Sequence, residues 1–421
     1  MARATTRRVA WGLLDQVVSS GSNFLVTIIA ATSLSASEFG AFAVAMAVAI
    51  MTVFLARGLA SDPLSTAHAS DEPDQLRWAV RSGAGTAVLS AVVVGVATAG
   101  LAVALGGTVG RVLLVLAATL PGLVLQDYLR FVLIVRGQAK LTFLNDLFWT
   151  VLQIGFLVLA IGLGGGAGSL LLAWAVAGNL AAVLGLWQAR TWVGGPGTIR
   201  PWLRRHRDLW PFYVLDNMVY QATNLILIVV ISLTTTLAQV GGFRAAMTLY
   251  APLAIIGRGI VGVAVPELAR RQGDPPAVYR ASLAIAWMLT PLAVVWTVLM
   301  LLIPDSWGEA MLGDSWELAE PLIFLGGATT AVSLFTVGTV VGIRALGAGR
   351  DGLTARFVVS ALVLVVSAAG AVADGAHGVL LALAWSAPFQ IATWWWLLAK
   401  ASRRDPRAGA TVETASKERI A

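Results

Sequence analysis

Apolar runs of about 20 residues, each closed by a short break rich in glycine, proline or charge, recur along the whole 421-residue chain. A hydrocarbon core about 30 Å thick needs a helix of roughly that length. The runs therefore predict twelve membrane-spanning helices, near 9–33, 39–60, 78–104, 111–135, 141–163, 168–188, 209–233, 238–265, 279–303, 318–343, 353–373 and 378–399. The connections are short, so successive spans form helical hairpins. A transmembrane barrel would instead show alternating strands of about ten residues.

Polar positions inside these runs repeat. Residues 11–60 recur without a gap 201 positions later, so that Asp15 falls on Asp216, Asn23 on Asn224, Gly40 on Gly241, Phe42 on Phe243, Met46 on Met247 and Arg57-Gly58 on Arg258-Gly259. Alanine and valine matches say little in so apolar a chain, but an aspartate, an asparagine and an Arg-Gly pair in one register say much more. The chain reads as an internal duplication restarting near residue 210, and duplicated halves are the usual architecture of membrane transporters. The first run has a basic start (Arg3, Arg7, Arg8), as a signal peptide would. Its copy lies mid-chain, so the first span is expected to be retained.

Composition narrows the class further. Hydrophobic residues make up 58% of the chain and charged residues 12%, against roughly 25% charged in globular proteins, and the mean hydropathy is +0.81. No stretch is long enough for a separate soluble domain. There is no cysteine, which excludes disulfides, thiolate metal sites and thiol nucleophiles. His68, His206 and His377 fall on loops or span ends and are not expected to group as ligands. Arginine outnumbers lysine 26 to 3, a bias that weakens inference from arginine being chosen over lysine. Neither a Walker loop nor a catalytic or metal-spaced cluster occurs, and no outer connection is long enough to house a polymerase or ligase site. An enzyme, a metal, a cofactor and a nucleic-acid partner are all unexpected.

Charge predicts orientation. Alternate connections hold Arg77, Arg136, Lys140, Arg190, Arg200, Arg204, Arg205, Arg207, Arg270, Arg271, Arg280, Arg350, Arg356, Lys400, Arg403 and Arg404. The others hold little beyond Arg111, and the longest, 304–317, carries Asp305, Glu309, Asp314 and Glu317. The positive-inside rule then puts both termini in the cytoplasm and gives each half six spans in one orientation. The expected fold is all-α: two pseudo-symmetric six-helix bundles, 1–190 and 209–401, with a central cleft, a basic cytoplasmic connector at 191–208 and a disordered tail at 402–421. In the connector, Trp192 and Trp202, with Trp210 just beyond, suit the headgroup level. Arg204, Arg205 and Arg207 suit either anionic inner-leaflet lipid or the phosphates of a lipid substrate.

Polar groups within spans carry the functional signal, because a charge at depth costs about 2.5–3.5 kcal/mol and so faces a partner or a cavity. Asp15, Ser19, Ser22 and Asn23 line one face of the first span, and Asp216, Thr223 and Asn224 repeat them, with Gln221 beside. The two stripes would face each other across the cleft, or each aspartate would pair within its own half. Asn145, Asp146, Trp149 and Gln153 share a face of the fifth span, and Asp127 and Arg130 are spaced for a local, structural ion pair. Arg57 and Arg258, ending the second and eighth spans, would snorkel to headgroups as topological anchors or stand as cationic posts at the inner mouth. Arg244 breaks the repeat, its counterpart being Ala43, and would bind a phosphate or carboxylate in an aqueous cleft, snorkel outward, or pair with an aspartate of the seventh span.

The twelve spans in two halves, the opening WGLLDQVVSSGSNFLVTIIAATSLSASEFGAFAVA and the Ser-x-x-Glu-Phe-Gly-Ala-Phe run at 35–42 resemble the polysaccharide transporter (Wzx-type flippase) branch of the multidrug/oligosaccharidyl-lipid/polysaccharide exporter superfamily. Residues 238–243 fit the same plan. The resemblance implies translocation of a polyprenyl-diphosphate-linked oligosaccharide from the inner to the outer leaflet. Basic residues (Arg57, Arg244 and Arg258) would offset the diphosphate charge. It also implies contact with membrane lipids and work beside glycosyltransferases or a polysaccharide polymerase. The alternative within the superfamily is a multidrug antiporter coupled to H+ or Na+, with Asp15 or Asp216 titrating.

Overall fold

In a computed structural model of the chain, the described residues are 11–403, apart from 12, 13, 16, 17, 20, 23, 24, 31 and 313–315. All regular structure among them is helical. The described residues of 11–33 form α1. There follow α2 (Ala36–Ala56), a π-helical turn (Arg57–Ser61), α3 (Asp62–Ala67), α4 (Pro73–Leu105), α5 (Gly107–Val135), α6 (Ala139–Gly162), α7 (Ala167–Gln188) and α8 (Pro196–Arg205). Then come α9 (Trp210–Thr234), α10 (Leu237–Leu249), α11 (Ala251–Ala269), α12 (Pro275–Leu301), α13 (Asp305–Leu312), α14 (Trp316–Ala319), α15 (Ile323–Ala345), α16 (Gly349–Trp385) and α17 (Ala387–Ser402).

The described residues hold ten helices long and apolar enough to cross a membrane. Their outward side chains are apolar too: Val96, Val103, Leu163 and Val183 are all exposed, as lipid-facing positions require. Of the twelve sequence spans, the one at 9–33 lies partly outside the described residues. The one at 378–399 is divided between the end of α16 and α17 by a break at Ser386, ahead of Pro388. The eighth span is not one helix either: it ends as α10 and restarts as α11 at Tyr250, with Pro252 in the first turn of the new helix. Proline lacks the N–H an unbroken helix would use there. Conversely, the second span does not stop at residue 60 but runs through the π turn to Ala67. The tail beyond Arg403 lies outside the described residues.

The duplicated motif turns out to be a helix start. Ser35 accepts a hydrogen bond from the Glu38 backbone while the Glu38 carboxylate reaches back to the Ser35 N–H, a capping box at the head of α2. At the equivalent positions Thr236 accepts from the Gln239 backbone at the head of α10. Phe42 and Phe243, like Ala45 and Ala246, are buried in their respective packings.

The chain divides into two compact units, Met1–Met218 and Val219–Ala421. In the first, Ala79, Gly83, Ala87, Ala91 and Gly95 recur every four residues along α4 and lie buried. This small-residue stripe lets α4 and α5 approach closely: Gly83 meets the Tyr128 ring, and a side chain at Gly95 would sit 3.0 Å from the Ala117 carbonyl. Tyr128 closes the contact by donating to the Val80 carbonyl at 3.0 Å. The second unit uses the same device between its α12 and α15, where Gly327 meets Thr297 and Gly338 meets the Ser282 carbonyl.

Candidate functional site

Three helices of the first unit bring together the buried charge. Arg130 of α5 donates from Nη2 to Asp15 Oδ2 of α1 at 2.7 Å, and its Nε lies 3.1 Å from Asp146 Oδ2 of α6. Its own-helix neighbour Asp127 is 3.9 Å away. Asp127 is taken instead by Arg57, which grips it with Nε and Nη2 at 2.8 and 2.6 Å and lies over the Phe54 and Phe131 rings. The expected local Asp127–Arg130 pair is thus the longest contact in a five-residue network. Arg130 is the hub that sequence reasoning gave a merely local role. Asp15, Asp127 and Asp146 are 3%, 7% and 2% exposed, so the pairing is what keeps three carboxyl groups tolerable inside the bundle.

Around this hub the polar stripes of the first and fifth spans meet. Ser19, Ser22, Asp146, Trp149 and Gln153 line one shallow depression. Gln153 is buried, and its Nε2, like Asp15 Oδ1, has no hydrogen-bond partner among the described residues. Asn145 is differently employed: it donates to the Ala181 carbonyl and to Gln188, and accepts from Gln126, which also donates to Asp146 Oδ1. Asn145 therefore ties α5, α6 and α7 together.

Asp15 pairs within its own unit. Asp216, its repeat partner, is buried on α9. Asn224 is exposed and donates to the Tyr220 carbonyl one turn back. Asn23 lies outside the described residues. Arg57 does not end a helix but opens the π turn, and Arg258 lies within α11 rather than at its end, with its side chain exposed. Arg244 is exposed on α10, as is Ala43 on α2. Neither Arg244 nor Arg258 has an ion-pair partner among the described residues. No group of three or more metal-ligating side chains occurs among them. Trp202 is fully buried, and His68 and His206, far apart in the chain, are in contact.

A family model described as polysaccharide biosynthesis protein matches residues 29–321, most of the chain. The chain belongs to that family. No curated protein matches the sequence. Among solved structures, it is similar to an outward-facing multidrug resistance MATE family transporter of the MOP superfamily, with a TM-score of 0.76, 16% identity and 95% of each chain covered. It is likewise similar to MATE in complex with MaD3S (TM-score 0.78, 15% identity, covering 95% of this chain and 96% of that one). A Vibrio cholerae MATE transporter gives 0.75 and 14% over 96% and 97%. This member of the polysaccharide biosynthesis family is thus an all-helical, multi-pass membrane protein with the MATE fold.

Proposed function

We propose that the protein is a flippase that carries a polyprenyl-diphosphate-linked oligosaccharide from the inner to the outer leaflet of the cytoplasmic membrane. It would do so through a cleft between two six-helix bundles, with both termini in the cytoplasm. The family match carries this reading. The side-chain geometry supports it: Arg244 and Arg258 present guanidinium groups that no carboxylate among the described residues neutralises, and a diphosphate needs such groups. Arg57 is already committed to Asp127, which leaves it the weakest of the three candidate ligands. Sugar and diphosphate would travel in the polar cleft while the polyprenyl tail stays in lipid. Membrane lipids, and glycosyltransferases or a polymerase supplying and consuming the cargo, are its natural partners.

Charge bookkeeping in the first unit favours cation coupling. Three buried carboxyl groups share two guanidinium groups there among the described residues, one carboxyl more than the guanidinium groups can match. A buried surplus is relieved by taking up H+ or Na+, and binding or release of that cation would drive the cycle. The same site would serve a multidrug antiporter, the alternative reading.

The test is translocation of a lipid-linked oligosaccharide in vesicles. Arg244→Ala should slow it by roughly ten- to a hundredfold, the loss of about 1.5–3 kcal/mol of charge-assisted hydrogen bonding, and Arg244→Lys should recover part. Unchanged transport at equal abundance would remove Arg244 from the path. Failure of the wild type to move any such lipid, together with export of cationic drugs, would replace the flippase with the antiporter.

A further inference from the structure

His68 and His206 are far apart in sequence, yet their Nε2 atoms lie 2.8 Å apart. Both rings are buried, at 2% and 3% exposure. The far side of each ring is also engaged: His68 Nδ1 lies 2.5 Å from Asp71 Oδ2, and His206 Nδ1 lies 2.9 Å from the Trp202 carbonyl. The Trp202 ring covers both, with centroids 5.6 Å from His68 and 4.0 Å from His206.

The pair ends a row of contacts joining the second span to residues 202–217. Asn217 Nδ2 donates to the Phe54 carbonyl and to Asp62 Oδ2 at 3.2 and 3.1 Å. Trp202 Nε1 donates to the Leu59 carbonyl at 3.0 Å, within the π turn. The Thr66 and Tyr213 hydroxyls are 3.1 Å apart. Gly58 leaves no room between the turn and α9, since a side chain there would lie 2.6 Å from the Val214 backbone. Residues 191–208 are thus not a loose linker: part of them, with the first turns of α9, is strapped to the first unit.

The spacing at the two imidazoles suits a proton and not a metal ion. Two ligands on a tetrahedral zinc, each at about 2.0–2.1 Å, would stand about 3.3 Å apart. An N–H···N bond also needs one bare nitrogen. A second proton would set two N–H groups and two positive charges head to head. Asp71, in the loop before α4, offsets one charge. Arg205 of α8, lying over the Trp78 ring, adds to the repulsion. Packed against His68, α4 contributes Trp78.

We propose that His68 and His206 form an acid-released clasp, with protons as its ligand, holding the connector between the two halves against the end of the second span. Burial pushes both histidines below their ordinary range, Asp71 opposing this at His68, and burial with His68 nearby takes His206 down to about 3. Asp71 and the Trp202 carbonyl only accept, so both Nδ1 atoms carry protons, and the bonded pair shares one further proton between its Nε2 atoms and resists a second. Its contribution is therefore lost as pH falls from about 6.5, the ordinary histidine value, towards the folded values.

Hydrogen–deuterium exchange on the purified full chain, corrected for intrinsic rates, tests this between pH 7.5 and 4.5. Protection of residues 196–218 should fall on the order of tenfold in the wild type, about 1.4 kcal/mol, and stay level in His68→Gln and His206→Gln. Wild-type protection that does not change with pH, or an equal fall in both variants, overturns the clasp. Asp71→Asn keeps both histidines and guards against a folding defect in the glutamine variants. Losing the carboxylate should move the release upward by roughly one pH unit, and an unmoved midpoint would also sink the proposal.

Discussion

At the scale of single residues, Arg130 is the side chain on which most depends. It is 14% exposed and lies within ion-pair reach of three carboxylates on three helices. Removing one partner of a buried ion pair costs roughly 3–5 kcal/mol, because the charges left behind have neither water nor a counterion. Arg130→Met is expected to destabilise the purified protein by about that much in chemical unfolding. Combining it with Asp146→Asn removes one orphaned charge and should restore a substantial part. The coupling term of the double-mutant cycle separates this from simple loss of packing: additive losses would mean that Arg130 does not hold Asp146. Asp15 and Asp146 matter to any coupling cation through the same geometry, since a cation entering beside them competes with Arg130 for their oxygens.

At the scale of elements, the close approach at Gly58 governs how the second span meets the start of α9. Gly40, although it recurs as Gly241, has nothing within 4 Å of where a side chain would begin. Gly58→Ala should therefore cost roughly 1–3 kcal/mol through overpacking against backbone that cannot yield. Gly40→Ala should be neutral or stabilising by about 0.5–1 kcal/mol, because alanine is the better helix former. Equal thermal stability of the two variants would mean that the strap relaxes freely. Elements of this kind were only partly legible in the chain. The apolar runs and the 201-residue repeat marked the spans, and the polar stripes of the first and fifth spans were visible as patterns, although not that they meet each other. The strongest short motif, Ser35 to Phe42, was visible as a pattern, and its physical content is a helix cap. The hub role of Arg130 was not legible, because spacing along one helix favours Asp127 and says nothing about side chains arriving from α1 and α6. The π turn leaves no compositional trace. Pro252 did mark the break at Tyr250, but a hydropathy run passes straight over it.

At the scale of the whole molecule, the parity of the spans in each half decides the architecture. Positive charge on alternate connections places residues 163 and 307 on the outer side and residues 192 and 273 on the inner side, if the first half has six spans and the second begins in the same orientation. An odd number in the first half would put 163 and 307 on opposite faces and turn the duplication into an inverted repeat, with a different symmetry axis and different helices lining the path. The protein suits a direct measurement because it contains no cysteine, and Leu163, Trp192, Trp307 and Gly273 are all exposed. Single variants Leu163→Cys and Trp307→Cys should react with an impermeant maleimide in intact cells. Trp192→Cys and Gly273→Cys should react only after permeabilisation. Labelling of 163 without 307 would break the parallel-repeat architecture. Labelling of 192 and 273 from outside would reverse the orientation, and with it the direction in which a lipid-linked cargo meets the basic connector first.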